Sequence, residues 1–366
     1  MSAVALKRRH FIAGLGASAL MAGHPACANS LGFQTPLLSA WAEWKSAFLN
    51  ADGRVIDHLQ QGASHSESQG YGMALAAFFA DLPAFQSMLA WTQAHLQIRE
   101  GDHLHAWRWL PDQTPHVPDR NNATDGDLFI TWALWKASEV FANPSYKEAA
   151  ARLTKDISDL CLVGIPGHSG ALIMLPGLEG FTQENRVTIN PAYPMPKFLI
   201  DLAEAFDLPR LANCAQTSRL ICDQLSQSLL PPDWIEISAD GLYPALHRPD
   251  VFGYEAMRVP LFEVWSGRKD APAVQQAATL YTQARMADPS VIPTRVLRLT
   301  GSVQETSAEP GYQAVAQAVL CSASTAQEAD FDARMPRFTA QQNYYPATLH
   351  LMALLALSET NRGCLT

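Results

Sequence analysis

The chain has 366 residues, enough for a large core, and its 48% hydrophobic and 17% charged residues describe a folded protein, not a disordered one. Twenty-six Lys and Arg against 35 Asp and Glu give a formal charge of −9, which disfavours nucleic acid as a partner because phosphate binding needs a basic surface. Beyond the N-terminus no apolar run approaches the roughly 20 residues of a membrane span, so no stable membrane anchor is expected.

Lys7-Arg8-Arg9-His10-Phe11-Ile12 precede a small apolar run over residues 13–23 and then His24-Pro25-Ala26-Cys27-Ala28. A basic region, an apolar region and an Ala-x-Ala-like site form the layout of a secretory signal, and the paired arginines resemble the twin-arginine type. Residues 1–28 are therefore expected to be a signal, cleaved near Ala28, with residues 29–366 forming one domain in the periplasm or outside the cell. Loss of Lys7, Arg8 and Arg9 takes the formal charge from −9 to −12. Five cysteines then remain, Cys161, Cys214, Cys222, Cys321 and Cys364, without Cys-x-x-Cys or zinc-like His spacing. Buried thiols are the expectation.

In chain order, apolar positions at three-to-four spacing predict helices over 41–49, 68–80, 84–98, 128–141, 146–162, 196–205 and 208–230. The pattern continues over 254–266, 271–287, 311–321, 326–334 and 342–357. Strand-like segments are few and short: 171–175, 181–189 and 242–245. No linker or charge run divides the chain. Periodic helices without sequence self-similarity suit a solenoid or a closed toroid.

Three segments carry candidate chemistry. In His65-Ser66-Glu67-Ser68-Gln69-Gly70-Tyr71-Gly72-Met73, a carboxylate precedes a helical pattern whose first turns hold two glycines. Each costs up to about 1 kcal/mol relative to alanine, so a close backbone approach is expected there. The plain alternative makes Ser66 a cap and Glu67 a complement to the helix dipole. In Asn121-Asn122-Ala123-Thr124-Asp125-Gly126-Asp127, Thr124 or Asp125 fits an ordinary N-cap and Asp127 a first-turn acid. In Phe252-Gly253-Tyr254-Glu255-Ala256-Met257-Arg258-Val259-Pro260, Glu255 and Arg258 stand at the spacing of an intrahelical ion pair. Pro260 marks a kink or an early helix start. Each segment sets a carboxylate at a helix start beside Gly and aromatic residues. Carboxylates with Trp107, Trp109, Tyr193, Tyr254, Tyr344 and Tyr345 nearby suit a carbohydrate, whose ring faces stack on aromatics.

These three segments, in this order, resemble glycoside hydrolase family 8. Leu104-His105-Ala106-Trp107-Arg108-Trp109, Asn190-Pro191-Ala192-Tyr193 and Asn343-Tyr344-Tyr345 match further family positions. The resemblance covers roughly residues 41–357. It implies an all-α fold, an (α/α)6 barrel with a few short strands in loops, and inverting hydrolysis of a β-1,4-glucan. Glu67 matches the general acid, Asp125 the acid that holds the distorted sugar, and Glu255 falls where most members carry an Asp as base. Arg258, Trp107, Trp109, Tyr193, Tyr254, Tyr344 and Tyr345 match or adjoin substrate-contacting positions. The family implies no metal and no cofactor, and by analogy a functional association with a cellulose synthase. Relatives acting on xylan, mixed-linkage glucan or cationic chitosan are alternatives, as is a glucan-binding protein that has lost catalysis through Glu255. A neighbouring carboxylate, with Asp125 the obvious one, and desolvation when the glucan binds are expected to keep Glu67 protonated against the helix dipole.

Overall fold

The computed structural model describes residues 26–323 and 335–365, with side chains from residue 36 onward. Eleven α-helices lie among these residues: α1 (Ala26–Phe48), α2 (Ser66–Phe78), α3 (Leu82–His95), α4 (Thr124–Val140), α5 (Pro144–Asp156), α6 (Pro196–Phe206), α7 (Pro209–Leu225), α8 (Arg258–Trp265), α9 (Pro272–Ala287), α10 (Pro310–Ser322) and α11 (Tyr344–Thr360). Six of them, α3, α5, α6, α7, α9 and α10, carry proline at one of the first two positions, where a missing N–H leaves no helical bond unmade. Asp81 and Asn143 cap α3 and α5 with their side chains.

Burial separates two rings. Helices α2, α8, α10 and α11 are buried along almost their whole length, α4 through its first three turns and α6 along one face. Helices α1, α3, α5, α7 and α9 alternate with them in the chain and cover them from outside. One continuous apolar cluster runs from Leu37 to Cys364 through the inner helices. This is an (α/α)6 barrel, as the resemblance implies.

The remaining elements lie in the connections. Strands β1 (Ser64–His65) and β2 (Arg108–Trp109) pair antiparallel, with Ser64 opposite Trp109. The hairpin of β3 (Leu162–Ile165) and β4 (His168–Met174) follows a π-helical turn at Ile157–Cys161. Strands β5 (Thr182–Gln183), β6 (Arg186–Ile189), β7 (Ile235–Ser238) and β8 (Gly241–Pro244) form one antiparallel sheet in that order. Strands β9 (Val251–Phe252), β10 (Ile292–Leu297) and β11 (Val303–Ser307) form a second, with β10 central.

Several expectations shift. The first helix begins at Ala26, well before residue 41, and so runs through the expected cleavage point. The signal itself falls on residues 1–25 and just beyond, and the 326–334 helix on 324–334, both outside the described residues apart from this overlap. The strand expected over 181–189 is the β5–β6 hairpin. The β10–β11 hairpin went unseen because β11 is exposed almost throughout and shows no apolar alternation. The helix expected from 254 starts only at Arg258, so Pro260 sits in its first turn and Glu255 in the turn before it. Cys161, Cys214 and Cys222 are buried thiols, but Cys321 and Cys364 form a disulfide, which overturns the expectation for that pair. The fold brings the end of α10 beside the 3-10 turn Arg362–Leu365, a closeness that 43 residues of sequence separation conceal.

Candidate active site

Two helix starts meet first. A Cβ placed on Gly70 would lie 2.9 Å from the Phe129 Cβ and 3.0 Å from the Gly126 carbonyl oxygen, and one on Gly126 would lie 2.6 Å from the Glu67 nitrogen. The missing side chains let the N-terminal turns of α2 and α4 touch backbone to backbone. The close approach expected at Gly70 is therefore to a helix. Gly72 faces Met88, Trp44 and Val55 and is equally a packing requirement. The contact sets Glu67, second residue of α2, beside Asp125, second residue of α4. Neither Ser66 nor Asp125 is an N-cap. His65 and Ala123 hold those positions.

Asp127 locks the arrangement from behind. Its Oδ1 accepts from the His105 backbone N–H at 2.9 Å and lies 2.9 Å from His105 Nδ1, and its Oδ2 accepts from Asn122 Nδ2 at 2.9 Å. This fully buried acid ties the segment carrying Trp107 to the start of α4. Trp107 is half-buried, donates its indole N–H to Asp119 Oδ2 at 2.8 Å, and has the Arg108 guanidinium over its ring at 4.2 Å. The Ser66 N–H donates to its carbonyl at 3.0 Å, so Trp107 stands at the mouth of α2.

The third carboxylate comes from the 253–257 turn. Asp233, which sequence reading missed, accepts through Oδ1 from the N–H groups of Gly253 (2.9 Å) and Ala256 (2.8 Å), holding the turn from below. A Cβ on Gly253 would come 2.5 Å from Asp233 Oδ2, so this contact requires glycine. Burial raises the Asp233 carboxyl to about 6, with the two backbone bonds opposing and the Glu255 charge adding to the rise.

Arg258 joins all three. Its guanidinium is 1% exposed; Nη1 donates to Glu67 Oε2 at 2.8 Å, to Asp125 Oδ2 at 3.2 Å and to the Tyr71 hydroxyl oxygen at 2.5 Å, and Nη2 pairs with Glu255 Oε2. The Tyr193 ring lies 5.6 Å from the guanidinium carbon. Glu255 and Arg258 do form the ion pair their spacing allows, though only Arg258 is helical.

Side-chain exposure is 22% for Glu67, 2% for Asp125 and 32% for Glu255. Burial raises the Glu67 carboxyl above the usual range; Arg258 opposes that rise, and the Glu255 charge adds to it. Asp125 is raised well above its ordinary value, first by burial and then by the Glu67 charge. The two carboxyls stand close enough that each affects the other, so they titrate as a pair. Of the two causes expected to hold Glu67 protonated, desolvation acts in that direction and the contact with Asp125 acts against it. Lost hydration comes first, and a protonated Asp125 donating to Glu67 favours the Glu67 carboxylate.

These groups line a cleft of about 620 Å³ together with Trp107, Tyr193, Tyr254 and Tyr345. The Tyr345 hydroxyl donates to the Tyr254 carbonyl at 2.5 Å, and the Tyr254 hydroxyl to Glu305 Oε2 at 3.0 Å. Two expected contacts fall elsewhere. Trp109 packs edge-on against Trp91 at 5.7 Å, beneath the Arg54 guanidinium at 4.8 Å. Tyr344 is buried against Phe48 and Trp44. His65, from the first candidate segment, also lines the cleft, as do Asp57, Thr306, Ser307 and Glu309, which nothing in their sequence surroundings marked. Among the described residues no His, Cys, Asp and Glu group is placed to hold a metal ion.

Comparison with known proteins identifies the family. The chain is 35% identical over 353 residues to a protein named probable endoglucanase from Novacetimonas hansenii, covering 93% of this chain and 98% of that one. An endoglucanase of Cellulomonas uda is 31% identical, over 69% of this chain and 70% of its own. Among solved structures, the endo-β-1,4-glucanase CMCax of Acetobacter xylinum superposes with a TM-score of 0.77 at 31% identity, covering 88% of this chain and 98% of that one. The profile described as glycosyl hydrolases family 8 matches residues 7–359, and the chain belongs to that family.

Proposed function

We propose that this chain is an inverting endo-1,4-β-glucanase with Glu67 as general acid, Glu255 as general base and Asp125 holding the sugar at the cleavage point. The observation that carries the reading is one buried arginine bonded to all three carboxylates on the floor of an aromatic-walled cleft. An inverting pair needs one protonated and one ionised carboxyl, roughly 6.5–9.5 Å apart with a water between. Glu67, whose carboxyl is raised by burial, is the proton donor, and Glu255, paired with Arg258, is the carboxylate. The Arg258 head group bridges the two and keeps their carboxyls from touching. Glu67 gives its proton to the glycosidic oxygen as that bond breaks. Water attacks the anomeric carbon from the opposite face and passes a proton to Glu255, so configuration inverts. The rings of Trp107 and Tyr193 offer stacking faces for pyranose units.

The same reading places the protein outside the cytoplasm after cleavage near Ala28, through the twin-arginine-like signal, and associates it with cellulose synthesis by family analogy. Among the described residues no helix is long and apolar enough to cross a membrane. One observation favours a second substrate, cationic chitosan: five acids, Asp57, Glu67, Asp125, Glu255 and Glu309, line the cleft, with the buried Arg258 paired to three of them.

Reducing-end release from carboxymethylcellulose, lichenan, xylan and chitosan by the purified chain, with Glu67→Gln alongside, tests the reading. Release from the cellulose derivative, lowered on the order of a thousandfold in Glu67→Gln, is the expected result. NMR of early products should show the α-anomer. A β-anomer, or full activity of Glu67→Gln, would overturn the assignment, and release from chitosan alone would select the second substrate.

A further inference from the structure

Glu255 carries its carboxyl on one more methylene than an aspartate at the same place, which adds a rotatable bond to a group that must meet a water in line. Two donors restrain it, and both fall on Oε2: Arg258 Nη2 and Asn190 Nδ2, the latter at 2.9 Å. Among the described residues none falls on Oε1, which leaves that oxygen to take the proton of the attacking water. The two restraints differ in kind. Arg258 is shared with Glu67, Asp125 and Tyr71, so its position is a compromise among four partners. Asn190 reaches Glu255 alone among the three acids.

The Asn190 amide is itself held. The side chain is in a residue only 1% exposed, and its Oδ1 accepts from the Ala192 N–H at 2.9 Å. That bond turns the carbonyl oxygen to the backbone and aims the NH2 at Glu255. Asn190 follows directly on β6, whose last residue, Ile189, pairs with Ile235 of β7. The amide therefore stands at the end of a strand paired on both sides, and the Tyr193 N–H donates back to the Asn190 carbonyl at 3.1 Å.

We propose that Asn190 is a positioning residue that fits a glutamate to the base position, fixing Oε2 so that Oε1 faces the water. The proposal rests on the reading of Glu255 as the base. It explains how the longer side chain serves there: the amide restrains the added torsion from a rigid strand end. An aspartate, one methylene shorter, falls short of the amide and depends on Arg258.

Asn190→Asp is the discriminating variant. It keeps an oxygen to accept from Ala192 N–H, so the turn persists, but it replaces the donor with a group that repels Glu255 once ionised. Kinetics on cellohexaose would be measured at pH 7 for the wild type, Asn190→Asp, Glu255→Asp and the double variant, with thermal melts as a folding check. The expected result is a fall in kcat on the order of thirtyfold to a hundredfold for Asn190→Asp with KM within about twofold, because misplacing a reacting group by an ångström costs about that much. In the Glu255→Asp background the same change should alter kcat by less than about threefold, since effects of groups that act through one another are not additive. Equal losses in both backgrounds, or wild-type kcat in a folded Asn190→Asp, would overturn the proposal. Glu255→Gln separates it from the reading beneath it. Full turnover there sinks the base assignment, whereas an inactive Glu255→Gln with an unimpaired Asn190→Asp sinks the positioning role alone.

Discussion

The acid and base sides of the cleft are built differently. Glu67 and Asp125 ride on helices α2 and α4, whose first turns press together where Gly70 and Gly126 carry no side chain. Their spacing follows from backbone contact, which cannot relax without moving a whole helix. Glu255 sits on a short turn held by polar side chains from elsewhere, Asp233 beneath it and Asn190 and Arg258 at its carboxyl. Such bonds tolerate a side chain of different length, because the donors and the turn can each shift slightly. The Glu255 side is held through side-chain bonds, whereas on the helix side a single added methyl finds no room.

The strongest test of this contrast is Gly126→Ala. Its Cβ would stand 2.3 Å from Ser66 Oγ and 2.6 Å from the Glu67 nitrogen, so the two helices must part. We expect destabilisation of about 1–3 kcal/mol in urea melts and a fall in kcat on the order of a hundredfold as Glu67 leaves its place. Near-normal turnover would show that the acid side is as forgiving as the base side.

Asp125→Asn probes the coupling of the two acids. In the proposed mechanism the alkaline limb of the pH–rate profile reports loss of the Glu67 proton; Glu67 and Asp125 are both raised by burial, and Asp125 further by the Glu67 charge. With one carboxyl neutral, the remaining proton is lost to no adjacent Asp125 charge, and an amide donor favours the Glu67 carboxylate. The limb should move to lower pH by about one unit, equivalent to about 1.4 kcal/mol. A stationary limb would mean that Glu67 titrates independently of Asp125.

The smallest effect concerns the base side. Asp233 is raised to about 6, so its contribution to folding is fully present below its unfolded value near 4 and is lost as the pH rises through 6. Asp233→Asn keeps an acceptor for the Gly253 and Ala256 N–H groups and never ionises. Its melting temperature should match or fall below that of the wild type at pH 4 and gain on it by the equivalent of about 1 kcal/mol at pH 7. A difference constant across that range would place the Asp233 carboxyl at its ordinary value.

Both sides differed in how far the sequence announced them. Glycines at 70 and 72 inside an apolar-periodic helix demanded a close neighbour, and the acids beside them stood out for that reason. The neighbours proved to be the α4 backbone for Gly70 and Met88, Trp44 and Val55 for Gly72, which no spacing rule names. Gln69, in the same motif, is an anchor, accepting from the Val55 N–H at 2.7 Å and donating to Gly53 and Met88 carbonyls at 3.2 Å. Asp233 gave no local signal, since an acid in Pro-Pro-Asp-Trp reads as an ordinary loop residue; Asn190 lay in the Asn190-Pro191-Ala192-Tyr193 segment, where attention went to Tyr193 and not to the amide. Trp109 and Tyr344 show the converse: two positions from the cleft-lining Trp107, Trp109 packs on Trp91, and one position from the cleft-lining Tyr345, Tyr344 is buried.

By itself the sequence determined the helical period, the proline and capping starts of the helices, and the three acid-bearing segments. Each is a local matter, settled within a few residues by side-chain size, hydrogen bonding and the helix repeat. Tertiary structure alone decided which aromatics face the cleft, that one arginine serves three carboxylates, and that Cys321 meets Cys364. Those outcomes depend on where closure of the helical ring brings distant residues, and burial among them then sets which carboxyl keeps its proton.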